Sequence, residues 1–136
     1  MNNTYAVIDT NVLVSAMLKT NSNPFRIILE ALIGKITPLV NREILAEYNE
    51  VLRRKKFQFS EEAIQKVIEG IAERAINIEG EPLEDLLPDP KDVIFYEVVM
   101  EARKSTDAYL ITGNIRHFPN RTYIVTPAEM LDILNS

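Results

Sequence analysis

Cysteine is absent from this chain of 136 residues, and so is any long uninterrupted hydrophobic run. Without cysteine the chain forms neither disulfides nor thiolate metal sites. Its longest apolar stretches fall well short of the roughly 18 to 20 residues that a membrane span needs, so we expect no membrane partner. Residues 1–5 carry no basic patch ahead of an apolar run, which argues against a secretory signal. These absences predict a cytoplasmic protein.

Basic residues are fewer than acidic ones, with 15 Lys and Arg against 20 Asp and Glu and a formal net charge of −5. A negative net charge usually counts against nucleic-acid binding. The acidic excess is confined to segment 61–101, which holds twelve of the acids, and the segments on either side are mildly basic. Net charge therefore does not exclude a polyanionic substrate.

The composition is that of an ordinary globular protein, with 46% hydrophobic and 26% charged residues. The length suits one domain, and no repeat, low-complexity tract or long linker divides the chain. We therefore expect a single domain over residues 1–136, large enough to bury a core without disulfides.

Short, nearly continuous apolar runs alternate with amphipathic segments along the whole chain. Strands are predicted at 5–8, 36–40, 76–79, 109–112 and 123–125, and helices at 12–18, 23–33, 42–54, 61–75, 92–104 and from 127 onwards. Pro38 predicts that its strand is an edge or frayed, and the proline-rich, acidic segment 80–91 predicts a loop. This alternation is typical of an α/β fold with a mostly parallel central sheet between two layers of helices.

Polar residues follow two of the predicted strands. Asp9, Thr10 and Asn11 come directly after the first strand, and Gly113 and Asn114 come after the strand at 109–112. In an open parallel sheet, ligands bind at the carboxyl ends of the strands. Taken alone, however, Asp9 is more commonly a helix cap, and Asn114 is an ordinary turn residue.

Two further acids lie at the edges of apolar helix faces. Helical spacing places Glu47 on the rim of its helix's apolar stripe, although a solvated flank residue explains it equally well. Asp92 and the preceding Asp89 open another helix, where acids commonly complement the helix dipole. Together, Asp9, Glu47 and Asp92 form an all-oxygen donor set from three elements, which suits Mg²⁺ or Mn²⁺ better than Zn²⁺. Such an ion would activate water and clamp a phosphodiester.

Three stretches of the sequence resemble one known family in the right order and across essentially the whole chain. They are VIDTNVLVSA at 7–16, DPKD at 89–92 with Phe95, and DAYLITGN at 107–114 followed by HFP at 117–119. This set is similar to the PIN-domain ribonucleases, and within them to the VapC-like toxins of toxin–antitoxin pairs.

The resemblance implies a three-layer α/β/α sandwich that acts as an endoribonuclease with Mg²⁺ or Mn²⁺. Asp9, Glu47 and Asp92 match the family's catalytic, metal-holding acids. Asn114 stands where many relatives place a fourth acid, and an amide is a neutral, weaker ligand.

Other residues are expected to support the acids or to bind the substrate. Asn11 and Thr112 match polar positions that support the acids by hydrogen bonding, and Asp89 is a further candidate for support. Candidate RNA contacts are the basic residues Arg53, Arg54, Lys55, Lys56 and Arg116. The first four, followed by Phe57 and Phe59, suit phosphate contact and base stacking, but they equally complement the C-terminal end of a helix. His117 lies beside Asn114 and could touch the scissile region, although a lone histidine is more often structural than catalytic.

Alternative functions differ in the residues that they need. Haloacid-dehalogenase-like phosphatases need a second Asp where this chain has Asn11, and response-regulator receivers need an acid pair after the first strand. A more serious alternative is a catalytically weak PIN-like module that binds RNA or protein, because Asn114 replaces an acid. The family resemblance also implies a cognate antitoxin protein as partner and a homodimer.

Overall fold

The computed structural model describes residues 3–83 and 87–136, so residues 84–86 of the predicted loop lie outside the described part. The strands are β1 (Thr4–Ile8), β2 (Ile36–Val40), β3 (Ile76–Asn77), β4 (Tyr109–Ile111) and β5 (Ile124–Val125). The helices are α1 (Thr10–Leu18), α2 (Asn23–Leu32), α3 (Arg42–Leu52), α4 (Glu61–Arg74), α5 (Val93–Ala102) and α6 (Pro127–Leu134). Short 3₁₀ turns lie at Lys55–Phe57, Pro90–Asp92 and Ile115–His117.

The strands form one parallel sheet in the order β3-β2-β1-β4-β5. Helices pack against it, with α5 on β1 and β4 and with α2 and α4 on β2. The ends of the central strands are buried, including Val7, Ile8, Leu110 and Ile111. The predicted α/β/α sandwich with a parallel sheet is therefore confirmed. No helix in the described part is both long and apolar enough to cross a membrane.

The prediction that Pro38 marks an edge or frayed strand is wrong, because β2 lies between β1 and β3. Pro38 is in register with Ala6 of β1, whereas β3 pairs only with Leu39 and Val40. Pro38, which has no backbone N–H, thus precedes the part of β2 that pairs with β3. The interior strand tolerates proline there because β3 needs no hydrogen bond from it.

Side-chain caps fix where most helices begin. Asp9, Ser22, Asn41, Ser60 and Thr126 each accept a backbone N–H in the first turn of the helix that follows. These short polar side chains satisfy N–H groups that have no partner within the helix.

Helix α5 begins differently from the capped helices. Its predicted first residue, Asp92, lies in the preceding 3₁₀ turn, and Asp89 caps that turn through Lys91 N–H at 3.0 Å. Asp92 makes no capping bond, so its carboxylate is available for other contacts.

The order of the strands brings two distant chain segments together at the carboxyl end of the sheet. The chain passes from β1 to β2 on one side and later returns to β4 on the other, so β1 lies at the point where the strand order reverses. Ile8 is in register with Ile111, and Asp9 N–H donates to the Ile111 carbonyl at 2.9 Å. Residues that follow β1 and β4 therefore meet at the edge of the sheet where α/β proteins bind ligands.

Tyr48 supports this end of the sheet from α3. Its side chain is buried, and its hydroxyl donates to the carbonyl of Ile8, the last residue of β1. We expect Tyr48→Phe to lower the free energy of unfolding by about 1 to 3 kcal/mol, because the buried carbonyl loses its partner. Urea denaturation of the metal-free protein measures this change.

Tyr5→Phe is the matched control. The Tyr5 side chain is half-buried, and its hydroxyl has no hydrogen bond within the described residues. Its effect should stay within about 0.5 kcal/mol. Equal effects of the two substitutions would contradict a supporting role for the Tyr48 hydroxyl.

Candidate active site

The Asp9 carboxylate lies at the end of β1 and is only 4% exposed. Its Oδ2 accepts a hydrogen bond from Thr112 Oγ1 at 2.8 Å, and its Oδ1 accepts one from Asn11 N–H at 3.4 Å. Thr112 Oγ1 in turn accepts the Asn114 N–H at 3.0 Å. Residues that follow both central strands therefore orient this carboxylate.

The surroundings of Asp9 disfavour its negative charge. Burial is the main cause that raises its pKa to about 6, and the charges of Asp92 and Glu47 raise it further. The hydrogen bonds from Thr112 and Asn11 act in the opposite direction. Among the described residues, neither Asp9 nor Glu47 forms an ion pair with a Lys, Arg or His. Asp9 and Glu47 therefore place negative charge in the site without a basic partner of their own.

Glu47 reaches the site from α3 and is half-buried. Its charge raises the pKa of Asp9, and it raises the pKa of Tyr48 as well, although burial is the main cause of the Tyr48 shift. Glu47 also lines a groove of about 540 Å³. The groove's other lining residues are Glu43, Ala46, Glu50, Arg54, Lys91 and Ile94. Glu47 thus lies close enough for its charge to act on Asp9, and it also lines a surface groove.

Asp92 is the second buried acid of the site, at 9% exposed. Burial raises its pKa, the hydrogen bond with His117 lowers it, and the charge of Asp89 raises it. The contact joins Asp92 Oδ2 and His117 Nδ1 at 2.9 Å. The place of His117 beside Asn114 made it a candidate contact of the scissile region, but its contact with Asp92 was not predicted from the sequence.

The other predicted site residues have different positions. Asn11 Oδ1 accepts Gly113 N–H at 3.1 Å and so ties the start of α1 to the end of β4. The Asn114 side chain is exposed, and its backbone N–H, rather than its amide, makes the contact with Thr112. Asp89 caps the 3₁₀ turn before α5 and influences Asp92 through its charge.

The residues predicted to contact RNA differ in whether their side chains are already paired with acids. Arg53 is paired with Glu61, and Arg54 is paired with Glu50 at 3.0 Å while it lines the groove beside Glu47. Lys55, Lys56 and Arg116 are exposed.

Two phenylalanines accompany this basic run. Lys56 Nζ lies 5.1 Å from the centroid of the Phe57 ring, and Phe57 stacks on Phe59 with ring centroids 5.5 Å apart. The run therefore contains two exposed lysines beside an aromatic pair, and two arginines that are already engaged with acids.

The donor chemistry of the site fits a hard divalent cation. Within residues 3–83 and 87–136, no group of three or more His, Asp or Glu side chains is arranged to hold a metal ion together. Mg²⁺, however, is usually bound through one or two carboxylates, with water and substrate oxygens completing its shell. Asp9 and Asp92 are the candidates for such a pair, because the charge of Asp92 raises the pKa of Asp9 more than that of Glu47 does.

The raised pKa of Asp9 predicts how the stability of the metal-free protein depends on pH. Its ordinary value is 3.8 and its folded value is about 6. The folded state therefore binds the proton more tightly, and the contribution of Asp9 to wild-type stability falls as the pH rises from 4 to 7. Asp9→Asn removes this dependence, so its stability relative to wild type should rise by up to about 3 kcal/mol over that range.

Urea denaturation in EDTA at several pH values measures this difference. Asp132→Asn is the matched control, because Asp132 is an exposed acid on α6. The Asp132→Asn protein should follow wild type at every pH. A constant difference between the Asp9→Asn protein and wild type would contradict the charged, buried state assigned to Asp9.

Comparison with known proteins identifies the family of the chain. A family model described as PIN domain matches residues 5–116, a segment that contains Asp9, Glu47, Asp92 and Asn114. No curated protein matches the chain, and no solved structure does. PIN domains are in general nucleases that bind RNA and usually use divalent metal ions. Because the match covers most of its length, the chain belongs to the PIN-domain family and has a nuclease-type fold.

Proposed function

We propose that this protein is an endoribonuclease that hydrolyses RNA phosphodiester bonds with Mg²⁺ or Mn²⁺. The observation that carries the proposal is the buried Asp9 carboxylate, which Thr112 orients and which lies beside Asp92 and Glu47 without a basic partner. A structural acid in such a place would normally be paired with a basic residue. A site that binds a cation needs the negative charge to remain uncompensated.

The energetics of the site favour a cation over an empty crevice. The charges of Asp92 and Glu47 raise the free energy of ionising Asp9, and burial adds a desolvation cost at both Asp9 and Asp92. A divalent cation between Asp9 and Asp92 would compensate both effects. Mg²⁺ and Mn²⁺ suit the donors, because all of them are oxygens and the chain contains no cysteine.

The chain's own residues divide the work in this proposal. Asp9 and Asp92 would hold the cation, with Glu47 as a third donor at the mouth of the groove. When bound, the cation supplies Lewis-acid chemistry, lowering the pKa of water and stabilising negative charge on the phosphate. Asn11 and Thr112 keep Asp9 oriented. Asn114 is assigned an accessory role, because its neutral amide adds no charge for a cation.

Substrate binding is proposed along the exposed cations near the site. Arg54 and Lys91 line the groove that contains Glu47, and Lys55, Lys56 and Arg116 are exposed. Phosphate contacts by such side chains supply sequence-independent affinity that falls with salt. Arg53 is given a smaller part, because its guanidinium is already bound to Glu61 and Asn49.

The biological setting is proposed from the sequence resemblance to VapC-like toxins. We propose that the protein is the toxin of a toxin–antitoxin pair and works in the cytoplasm as a homodimer. Its cognate antitoxin would cover the acidic crevice, and an arginine would be the natural residue to pair with the carboxylates. Co-purification with the product of a neighbouring gene is the observation that would support this setting.

Substitution of the buried acids tests the enzymatic proposal. We expect the wild-type protein to cleave a mixed RNA pool in Mn²⁺ or Mg²⁺ but not in EDTA. Asp9→Asn and Asp92→Asn should each lower the cleavage rate by about 100-fold or more, because each removes a charged donor. Gel analysis of the RNA under the three metal conditions measures this loss.

The control for this assay is Asp132→Asn, which should cleave at the wild-type rate. If folded wild-type protein free of any partner cleaves no RNA under any condition, the proposal is wrong. The function would then be that of a PIN-like module that binds RNA or protein. The neutral, exposed Asn114 is the feature of this chain that favours that second candidate.

A further inference from the structure

His117 is the only histidine of the chain, and it contacts a buried acid of the site. Its Nδ1 lies 2.9 Å from Asp92 Oδ2, although the two residues are 25 positions apart. The Asp92 side chain is 13% exposed and the His117 side chain is 40% exposed. The histidine thus covers one side of the carboxylate and keeps its other edge open to solvent.

The backbone around His117 holds the ring in this place. The 3₁₀ turn Ile115–His117 is closed by His117 N–H donating to the Asn114 carbonyl at 2.9 Å. The next residue, Phe118, is buried, and its ring lies 6.5 Å from that of Tyr96 on α5. Asp92 immediately precedes α5, so the Phe118 contact brings the turn to the start of the helix where the acid lies.

The chemistry of the pair fixes the direction of its hydrogen bond. An ionised carboxylate only accepts hydrogen bonds, so when Asp92 is ionised the proton of this contact belongs to His117 Nδ1. The bond occupies Oδ2 of Asp92 and leaves Oδ1 as the oxygen that is free to face a cation. A hydrogen bond of this kind restricts how the carboxylate rotates.

The same stretch of chain orients both buried acids. Thr112 Oγ1 donates to Asp9 Oδ2, and His117 Nδ1 contacts Asp92 Oδ2 as the donor when Asp92 is ionised. Both donors follow β4, on either side of Asn114. The segment 112–117 therefore supplies two hydrogen-bond donors to the acids, whereas its own side chains include no acid.

We propose that His117 is a positioning residue that holds the Asp92 carboxylate in the orientation that binds the divalent cation. The proposal rests on the function proposed above and goes beyond it by giving the single histidine a defined task. Hydrogen-bond partners of metal ligands typically change metal affinity by about 10- to 100-fold when they are removed. His117 acts on the cation through Asp92 and is not itself a ligand in this account.

Nitrogen NMR of the metal-free wild-type protein tests the geometry directly. The single histidine gives one set of imidazole signals, so the assignment is unambiguous. We expect Nδ1 to carry a proton at pH 8, and we expect Asp92→Ala to shift the proton to Nε2. A wild-type ring with its proton on Nε2 alone would overturn the proposal. This experiment needs neither metal nor activity.

Manganese titration calorimetry tests the consequence for binding. His117→Phe keeps a ring but loses the donor, so its Kd for Mn²⁺ should rise by about 10- to 100-fold. His117→Asn is the matched rescue variant, because its amide nitrogen can take the place of Nδ1. The Kd of the His117→Asn protein for Mn²⁺ should stay within about threefold of the wild-type value. Arg121→Gln, an exposed substitution beyond the turn, should bind Mn²⁺ as wild type does.

The outcomes separate this inference from the proposed function. If wild type binds Mn²⁺ and His117→Phe binds it equally well, the positioning role is wrong and the proposed nuclease stands. If wild type binds no Mn²⁺, the metal-dependent function itself is wrong, and the role of His117 falls with it. A melting temperature measured in EDTA for each variant shows that a loss of binding does not come from unfolding.

Discussion

The structure depends on one constraint, which is that the Asp9 carboxylate is buried among other acids with no basic residue to compensate it. Burial and the charges of Asp92 and Glu47 raise its pKa, whereas Thr112 and Asn11 stabilise the ionised form. Such an arrangement costs stability in the metal-free protein. A cost of this kind is typical of a functional site, where the uncompensated charge is needed for binding.

The fold creates this constraint through the order of its strands. From β1 the chain first adds strands on one side of the sheet and later adds β4 on the other side of β1. The residues that follow β1 and β4 therefore meet, although Asp9 and Thr112 are 103 positions apart. Helix α3 adds Tyr48 beneath the site and Glu47 at its rim, and the 3₁₀ turn before α5 adds Asp92. Each acid thus comes from a different element, and the buried core holds their relative positions.

Much of the fold and part of the site were predictable from the sequence. Alternating apolar runs and helix caps are local signals, so the strands, the helices and the role of Asp9 as a cap could be predicted from short windows. The contacts of Tyr48 with Ile8 and of His117 with Asp92 depend on tertiary packing across 40 and 25 positions, and no local pattern indicates them. The pairing of Arg53 with Glu61 is also a tertiary contact, so the sequence did not show that this arginine of the basic run is already bound to an acid. The prediction of an edge strand from Pro38 was wrong because β3 is short. It pairs with β2 only beyond Pro38, so the interior strand β2 tolerates the proline.

The central claim is that the buried acids exist to hold a divalent cation, and anomalous diffraction from crystals grown with MnCl₂ tests it most directly. Our account predicts a manganese peak at the carboxylates of Asp9 and Asp92, the two residues that would hold the cation. His117 should remain on the far oxygen of Asp92. A well-ordered crystal that shows no peak at either carboxylate, or a basic side chain placed between them, would contradict the account.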